Sequence, residues 1–356
     1  MMAASRHMPP CPCTGAVSSG RNKLVLLRRQ EPRAQRTILA ALGSCFRRST
    51  ASLFSVGVLA LLLTAPAAAQ KLDETPRTVV MTAFAPEYAA LAPSVEKPQE
   101  YKINGLTFLT GTMAGKPVLL MQSGVSMVNA AMNTQLVLDR FAVKRIVFSG
   151  IAGGIDPGLS IGDVVVPDGW AQYLEVSFAR KTDKGWSTPE PLDASAPPNY
   201  GMMFPRGVRV GSASEPWERR YTLAVDPTLL TLARKVAAEV KLRRCVEGPA
   251  AATAKACLVH EPKIVVGGTG VSAGVFADNA EFRDYLFGAW KANVLDMESA
   301  AVAQVAFANS VPAIVFRSLS DLAGGDSGDN QMVTFMTLAS VNSADVVRAF
   351  VAALPD

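Results

Sequence analysis

Beyond residue 69 the chain has little of the side-chain chemistry on which most metal and nucleophile sites depend. Of its five Cys and two His, only Cys245, Cys257 and His260 lie in residues 70–356. A zinc site of the usual Cys/His composition is therefore nearly excluded, and no metal is expected. A Ser-His-Asp triad would have to be built on His260. Excess positive charge is missing from the same region. The full 356 residues include 35 basic and 30 acidic side chains, a formal charge of +5. Nine of the basic residues and one acid, Glu31, precede Gln70, which leaves 26 basic and 29 acidic residues in the remainder, a net −3. A body of that charge is a poor partner for nucleic acid. The apolar run from Leu53 to Ala65 has 13 residues, short of the about 20 that span a bilayer as a helix.

What is present divides the chain in three. Residues 1–46 are rich in Arg, Ser, Pro and Ala without apolar period, and read as a disordered extension or as sequence upstream of the true start. Residues 47–69 have the anatomy of an export signal: Arg47-Arg48, the apolar run, and Ala67-Ala68-Ala69 as a small-residue cleavage site. They imply an exported protein, periplasmic or secreted, with no stable membrane anchor after cleavage. Residues 70–356 are long enough for one large α/β domain.

Within that domain, strands are expected at Thr78–Phe84, Leu106–Thr110, Pro117–Gln122, Arg145–Ser149, Asp163–Pro167, Lys263–Val266, Asn293–Leu295 and Ala313–Phe316. Apolar residues at helical spacing predict helices at Met127–Phe141, Pro227–Val240, Ala280–Phe287 and Ser299–Asn309, and one or two over Met332–Ala353. Residues 170–221, without sustained period, read as a long surface excursion. Strands alternating with helices argue for a largely parallel or mixed sheet covered on both faces, around one hydrophobic core. Cys245 and Cys257, 12 apart, are either two free thiols or a disulfide; export favours the disulfide.

Three acids stand where strands give way to loops or helices, the place where open α/β sheets bind ligands. They are Glu87, Glu298 and Asp321. Gly150, Gly153 and Gly154 follow another strand and would let a ligand approach the backbone. Taken singly, each acid has an ordinary explanation: a solvated first-turn residue for Glu87, a favourable helix N-terminus for Glu298, an N-cap for Asp321.

Taken together they carry a resemblance. Val294–Ala303 (VLDMESAAVA), Phe316–Gly325 (FRSLSDLAGG) and Ser149–Leu159 (SGIAGGIDPGL), followed by Ile161–Val165, are similar in order and spacing to three blocks of the nucleoside phosphorylase/nucleosidase superfamily. The resemblance runs over about residues 76–353. It is nearest to the 5′-methylthioadenosine/S-adenosylhomocysteine nucleosidases and to plant bark and vegetative storage proteins.

The resemblance implies a three-layer α/β/α sandwich with a mixed central sheet, no cofactor, and a homo-oligomer, with a dimer favoured. It implies that Asp321 protonates a purine N7, that Glu298 holds ribose hydroxyls with Met297 under the sugar, and that Glu87 activates water. Ser320 and Arg317 would orient the site, Gly150, Ile151, Ala152 and Gly153 would border the substrate, and Val271 or Phe276 would stack on the base. Ile151 departs from the small hydroxyl residue usual in cytosolic nucleosidases. The loop Thr82–Tyr88 carries no Arg or Lys, and Val147–Ser149 lacks the Arg of hexameric phosphorylases. A carboxylate at Glu87 would also repel phosphate. Hydrolysis of adenosine-type nucleosides is therefore expected ahead of phosphorolysis or a non-catalytic, storage-like role.

Overall fold

The computed structural model describes residues 71–246 and 256–355. The expected extension at 1–46 and export signal at 47–69 lie outside the described residues. The fold is built on a twelve-stranded mixed sheet. We label its strands β1 (Asp73–Thr82), β2 (Glu96–Ile103), β3 (Leu106–Met113), β4 (Lys116–Gln122), β5 (Phe141–Gly154), β6 (Val164–Val166), β7 (Gly169–Gln172), β8 (Leu223–Ala224), β9 (Ile264–Val266), β10 (Thr269–Ser272), β11 (Ala292–Asp296) and β12 (Ala313–Asp321). The helices are α1 (Ala85–Leu91), α2 (Met127–Arg140), α3 (Pro227–Ala237), α4 (Ala280–Trp290), α5 (Ser299–Ala308) and α6 (Met332–Ala353).

The main path of the sheet runs β8-β7-β10-β11-β5-β1-β4-β3-β2, with β12 on β5 and β6, and β9 on β6. Strand β5 is the hinge of this arrangement. It pairs in parallel with β1 (Val80 opposite Val147) and with β12 (Val315 opposite Phe148). At its carboxyl end it pairs antiparallel with β11 (Leu295 opposite Gly153). The carboxyl ends of β1, β5, β11 and β12 are thus brought to one place. The β-branched and apolar runs of these strands are buried on both faces, as expected of sheet centres covered by helices. Helices α1 and α3 each pack on α6, and α2 packs on α5. This is the mixed sheet with helical layers that the sequence leads one to expect.

Local signals set the helix starts. Asp226 accepts from the backbone N–H groups of Thr228 and Leu229 (2.8 and 3.0 Å) ahead of Pro227 at the first turn of α3. Asn279 caps α4 by accepting from Phe282 N at 2.8 Å.

Several expectations need correction. The stretch expected as an excursion, residues 170–221, starts inside strand β7 (Gly169–Gln172) of the main sheet, and Trp170 is fully buried. The later residues form small two-stranded pairs, the exposed hairpin Arg180–Thr182 with Gly185–Ser187 and the longer-range pair Val176–Phe178 with Met203–Pro205 among them. Helix α2 stops at Arg140, and Phe141 opens a strand that reaches Gly154 rather than Ser149. A second, smaller core of Ile155, Ala171, Tyr173, Val271, Leu286, Trp290 and neighbours forms around α4, beside the large core under β1, β4 and β5. Met332–Ala353 is one helix. Of the two alternatives for Cys245 and Cys257, the structure has the expected disulfide, which closes a small antiparallel bridge. No described helix is long and apolar enough to cross a membrane.

Candidate active site

A cavity of about 190 Å³ opens where the four strand ends meet. Its lining is mostly apolar, including Phe84, Val125, Phe276, Met297 and Met332, and it is edged by Glu87, Glu298 and Asp321, with Asp296 also on the wall while its carboxylate is bonded to Ser272, Ser299, Arg317 and the backbone N–H of Glu298. No Lys, Arg or His lines it.

Glu87 stands in the first turn of α1, directly after β1, and is 2 % exposed. Its Oε2 accepts from Ala83 N (2.6 Å) and its Oε1 from Ile151 N (2.8 Å). Burial raises its pKa, opposed by the Arg317 guanidinium and these backbone N–H groups. It is not the solvated first-turn residue that its place after a Pro allows.

Glu298 follows β11 and occupies the N-cap position of α5 without capping it. Its Oε1 reaches instead to Ser126 N, 2.8 Å away. The capping is done by Asp296, whose Oδ1 accepts from Glu298 N and Ser299 N, both at 3.1 Å. Burial and the neighbouring Asp296 push the pKa of Glu298 up to about 7, against the pull of Arg317.

Asp321 ends β12. The helix that follows starts only at Met332, so Asp321 is not an N-cap. Its Oδ1 accepts from Ala323 N at 2.9 Å and its Oδ2 from Ser320 Oγ at 2.9 Å. Burial raises its pKa, only partly offset by these donors.

Arg317 lies beneath the cavity and is fully buried. Its Nε is 2.7 Å from Asp296, Nη2 is 3.6 Å from Glu298 and Nη1 is 3.7 Å from Glu87. Its guanidinium also sits 4.2 Å from the centre of the Phe148 ring. This geometry depends on Gly150, where a Cβ would stand 1.7 Å from Arg317 Nη1 and 2.6 Å from Glu87 Oε1. Ser343 of α6 locks the same stretch by accepting from Gly150 N (3.1 Å) and donating to Phe316 O (3.1 Å).

The structure therefore brings Glu87, Glu298, Asp321, Met297, Ser320, Ile151, Ala152, Gly153 and Phe276 to the cavity wall. It does not bring the other expected residues there. Val271 is fully buried in the smaller core, so of the two stacking candidates only Phe276 borders the cavity. Gly150 and Arg317 sit behind the wall, supporting the acids without lining the space. Asp296 and Ser126 escaped sequence reasoning. Asp296 stands two residues before Glu298 and could have been found as an acid ending a strand; Ser126 follows β4 in a Ser-Gly turn and gives no comparable signal. Among the described residues no group of His, Cys, Asp and Glu is arranged to hold a metal ion.

Comparisons with known proteins bear on the family and the fold. Bark storage protein B of Populus deltoides is 27 % identical over 259 residues, 71 % of this chain and 79 % of that protein. The 5′-methylthioadenosine/S-adenosylhomocysteine nucleosidase of Anoxybacillus flavithermus is 28 % identical over 272 residues, 76 % of this chain and 96 % of its own length. Among solved structures, the S. pneumoniae 5′-methylthioadenosine/S-adenosylhomocysteine nucleosidase bound to the transition-state inhibitor MT-ImmA superposes with a TM-score of 0.57 at 22 % identity. That match covers 78 % of this chain and all of the other, and it speaks to the fold. A family model described as the phosphorylase superfamily matches residues 77–352, and the chain belongs to that superfamily.

Proposed function

We propose that the protein hydrolyses the N-glycosidic bond of adenosine-type nucleosides, such as 5′-methylthioadenosine or S-adenosylhomocysteine. One observation carries this reading: the cavity is edged by carboxylates, and no cationic side chain lines it. A phosphorylase has to hold a phosphate dianion, usually with Arg or Lys. Here the one guanidinium at the site is buried behind the wall and faces three carboxylates. Water is the nucleophile such a site accepts.

The roles follow from the environments. Asp321, its pKa raised by burial, gives its proton to the purine as the C1′–N9 bond breaks and the electron pair leaves with the base. Glu298 holds the ribose hydroxyls and stabilises the positive charge that develops on the sugar. Water adds to C1′, and Glu87 takes its proton. Phe276, about half exposed at the rim, covers the base, and the mostly apolar wall suits the 5′-thioether that these nucleosides share. The names of the nucleosidase relatives support the substrate class.

We place this activity outside the cytoplasm. The leader at residues 47–69 and the Cys245–Cys257 disulfide support that reading, since disulfides persist in oxidising compartments. A homodimer is also part of the proposal: Val128 and Met132 of α2 are exposed at 78 % and 56 %, close in sequence to Val125 at the cavity. A second reading, a storage-like protein that binds nucleosides without turning them over, is favoured by the bark storage relative and by the apolar Ile151. The test is incubation with 5′-methylthioadenosine, adenosine and inosine, followed by chromatography of the products. Free adenine and the unphosphorylated sugar support the proposal. Binding by calorimetry without turnover supports the second reading and overturns the first.

A further inference from the structure

Nine residues after Asp321, on the loop between β12 and α6, stands Asn330. Its side-chain Nδ2 donates to Asp321 Oδ1 at 3.4 Å and to Asp278 Oδ1 at 3.1 Å. Its Oδ1 accepts from Met332 N at 2.9 Å. Asp278 belongs to the loop that carries Val275, Phe276 and Ala277 along the cavity wall, and Met332 lines the same cavity. One amide therefore ties the acid to a wall of the cavity and to the start of α6. The two loops are further held by Asn279 N donating to Ala323 O at 3.2 Å.

We infer that Asn330 is a positioning residue for the acid: together with Ala323 N it occupies Oδ1 of Asp321 with N–H donors, and so places the transferable proton on Oδ2, beside Ser320 Oγ. This rests on the nucleosidase reading of the site. An sp² oxygen offers two lone pairs. With both engaged by N–H groups, Oδ1 has none left for a proton. Ser320 Oγ is 2.9 Å from Oδ2 and 3.4 Å from the Ala152 carbonyl. It can accept the O–H of the acid while donating to Ala152, and turn to donate to Oδ2 once the proton has gone to the base. The carboxyl group then stays in place while its O–H turns from Ser320 Oγ to the base and the Ser320 hydroxyl turns to Oδ2.

The groups that face Asp321 are few. Asp326, from the same loop, raises its pKa, while Ala323 N, Ser320 Oγ and Asn330 lower it against the larger effect of burial. Asp278 reaches it through Asn330, and on β5 a Cβ at Gly153 would stand 3.1 Å from Oδ1. Arg283 of α4 is engaged with the Gly154 carbonyl at 3.0 Å.

The test uses the whole protein and kcat for 5′-methylthioadenosine hydrolysis across pH, in wild type, Asn330→Ala and Asn330→Asp. An N–H donor on Oδ1 favours the carboxylate, so its loss raises the pKa of Asp321. The alkaline limb of kcat, where the acid is lost, should move up by about half a unit or more in Asn330→Ala. It should move further in Asn330→Asp, which keeps the acceptor for Met332 N but puts a carboxylate against the acid. The plateau should fall roughly tenfold, as expected for losing one hydrogen bond to a charged group. The ¹³C titration of the Asp321 carboxyl should show the same upward shift without any turnover. An alkaline limb and a ¹³C titration unmoved in both variants would overturn the inference, even if kcat falls. If the wild type releases no base, the nucleosidase reading itself has failed, and the carboxyl titration still decides whether Asn330 controls Asp321.

Discussion

Replacing Arg317 with Met removes the guanidinium that faces Asp296, Glu87 and Glu298 while keeping most of the buried volume. The residue is fully buried, so its charge is little screened by water. Taking one partner out of such a cluster leaves uncompensated buried carboxylates and costs about 3–5 kcal/mol. For a domain of this size that corresponds to a fall in Tm of about 6–20 °C. The loss should depend on pH in a defined direction. The pKa values of Glu87 and Glu298 are already raised by burial, with Arg317 opposing the rise. Without Arg317 they rise further. A carboxyl whose folded pKa lies above its unfolded value loses stability as pH climbs through the folded value. The variant should therefore lose stability more steeply than wild type between pH 5 and pH 8, and at pH 5 its deficit should shrink to roughly half or less. Denaturant unfolding of both proteins at the two pH values reads this directly. Arg317→Lys, which keeps the charge but not the planar fork, should fall between them. A deficit that is the same at both pH values, or below about 1 kcal/mol at pH 8, would refute the electrostatic account of the cluster.

Other expectations follow from the same contacts. Gly150→Ala places a methyl 1.7 Å from Arg317 Nη1, and should cost about 1–3 kcal/mol of stability and most of the activity, measured by thermal unfolding and adenine release. The profile of kcat/KM against pH should show an acid limb near 7, from Glu298; a limb near the ordinary carboxylate value would argue against Glu298 acting as the ionised sugar-binding group. Reducing or removing the Cys245–Cys257 disulfide should cost about 3 kcal/mol by loop entropy. That corresponds to about 6–12 °C in Tm, with kcat little changed because the bridge lies outside the cavity wall.

Parts of this fold are legible in the sequence because one physical signal dominates them. The β-branched run Thr78–Thr82 and the unbroken helical spacing of Met127–Arg140 report burial directly. Strand β2 gives no such signal. Its residues, EKPQEYKI, are largely exposed at the sheet edge, where Pro98 is tolerated and Lys97 takes φ +48° at a register shift. Strands β7 (GWAQ) and β10 (TGVS) are four residues each and rely on Gly270 lying flat beneath the Trp170 ring, a tertiary contact that no local pattern encodes.

The site divides in the same way. Glu87, Glu298 and Asp321 can be found from sequence because each stands at or just after the carboxyl end of a strand that ends at the cavity. Arg317 cannot be placed that way. Its position in β12 shows only that it alternates with Phe316 and Ser318; that it runs under the cavity depends on Gly150 of the neighbouring strand having no side chain. Val271 looked equivalent to Phe276 because both lie in one short segment, but the first is in strand β10 and faces the core, while the second is in the loop beyond it.

The claim that carboxylates alone carry out the chemistry, with water as nucleophile, is tested most directly by one comparison. The rate of adenine release from 5′-methylthioadenosine is measured with and without phosphate, and the sugar product is identified. The account predicts equal rates and free 5-methylthioribose in both. A rate that requires phosphate, with the sugar 1-phosphate as product, would contradict it.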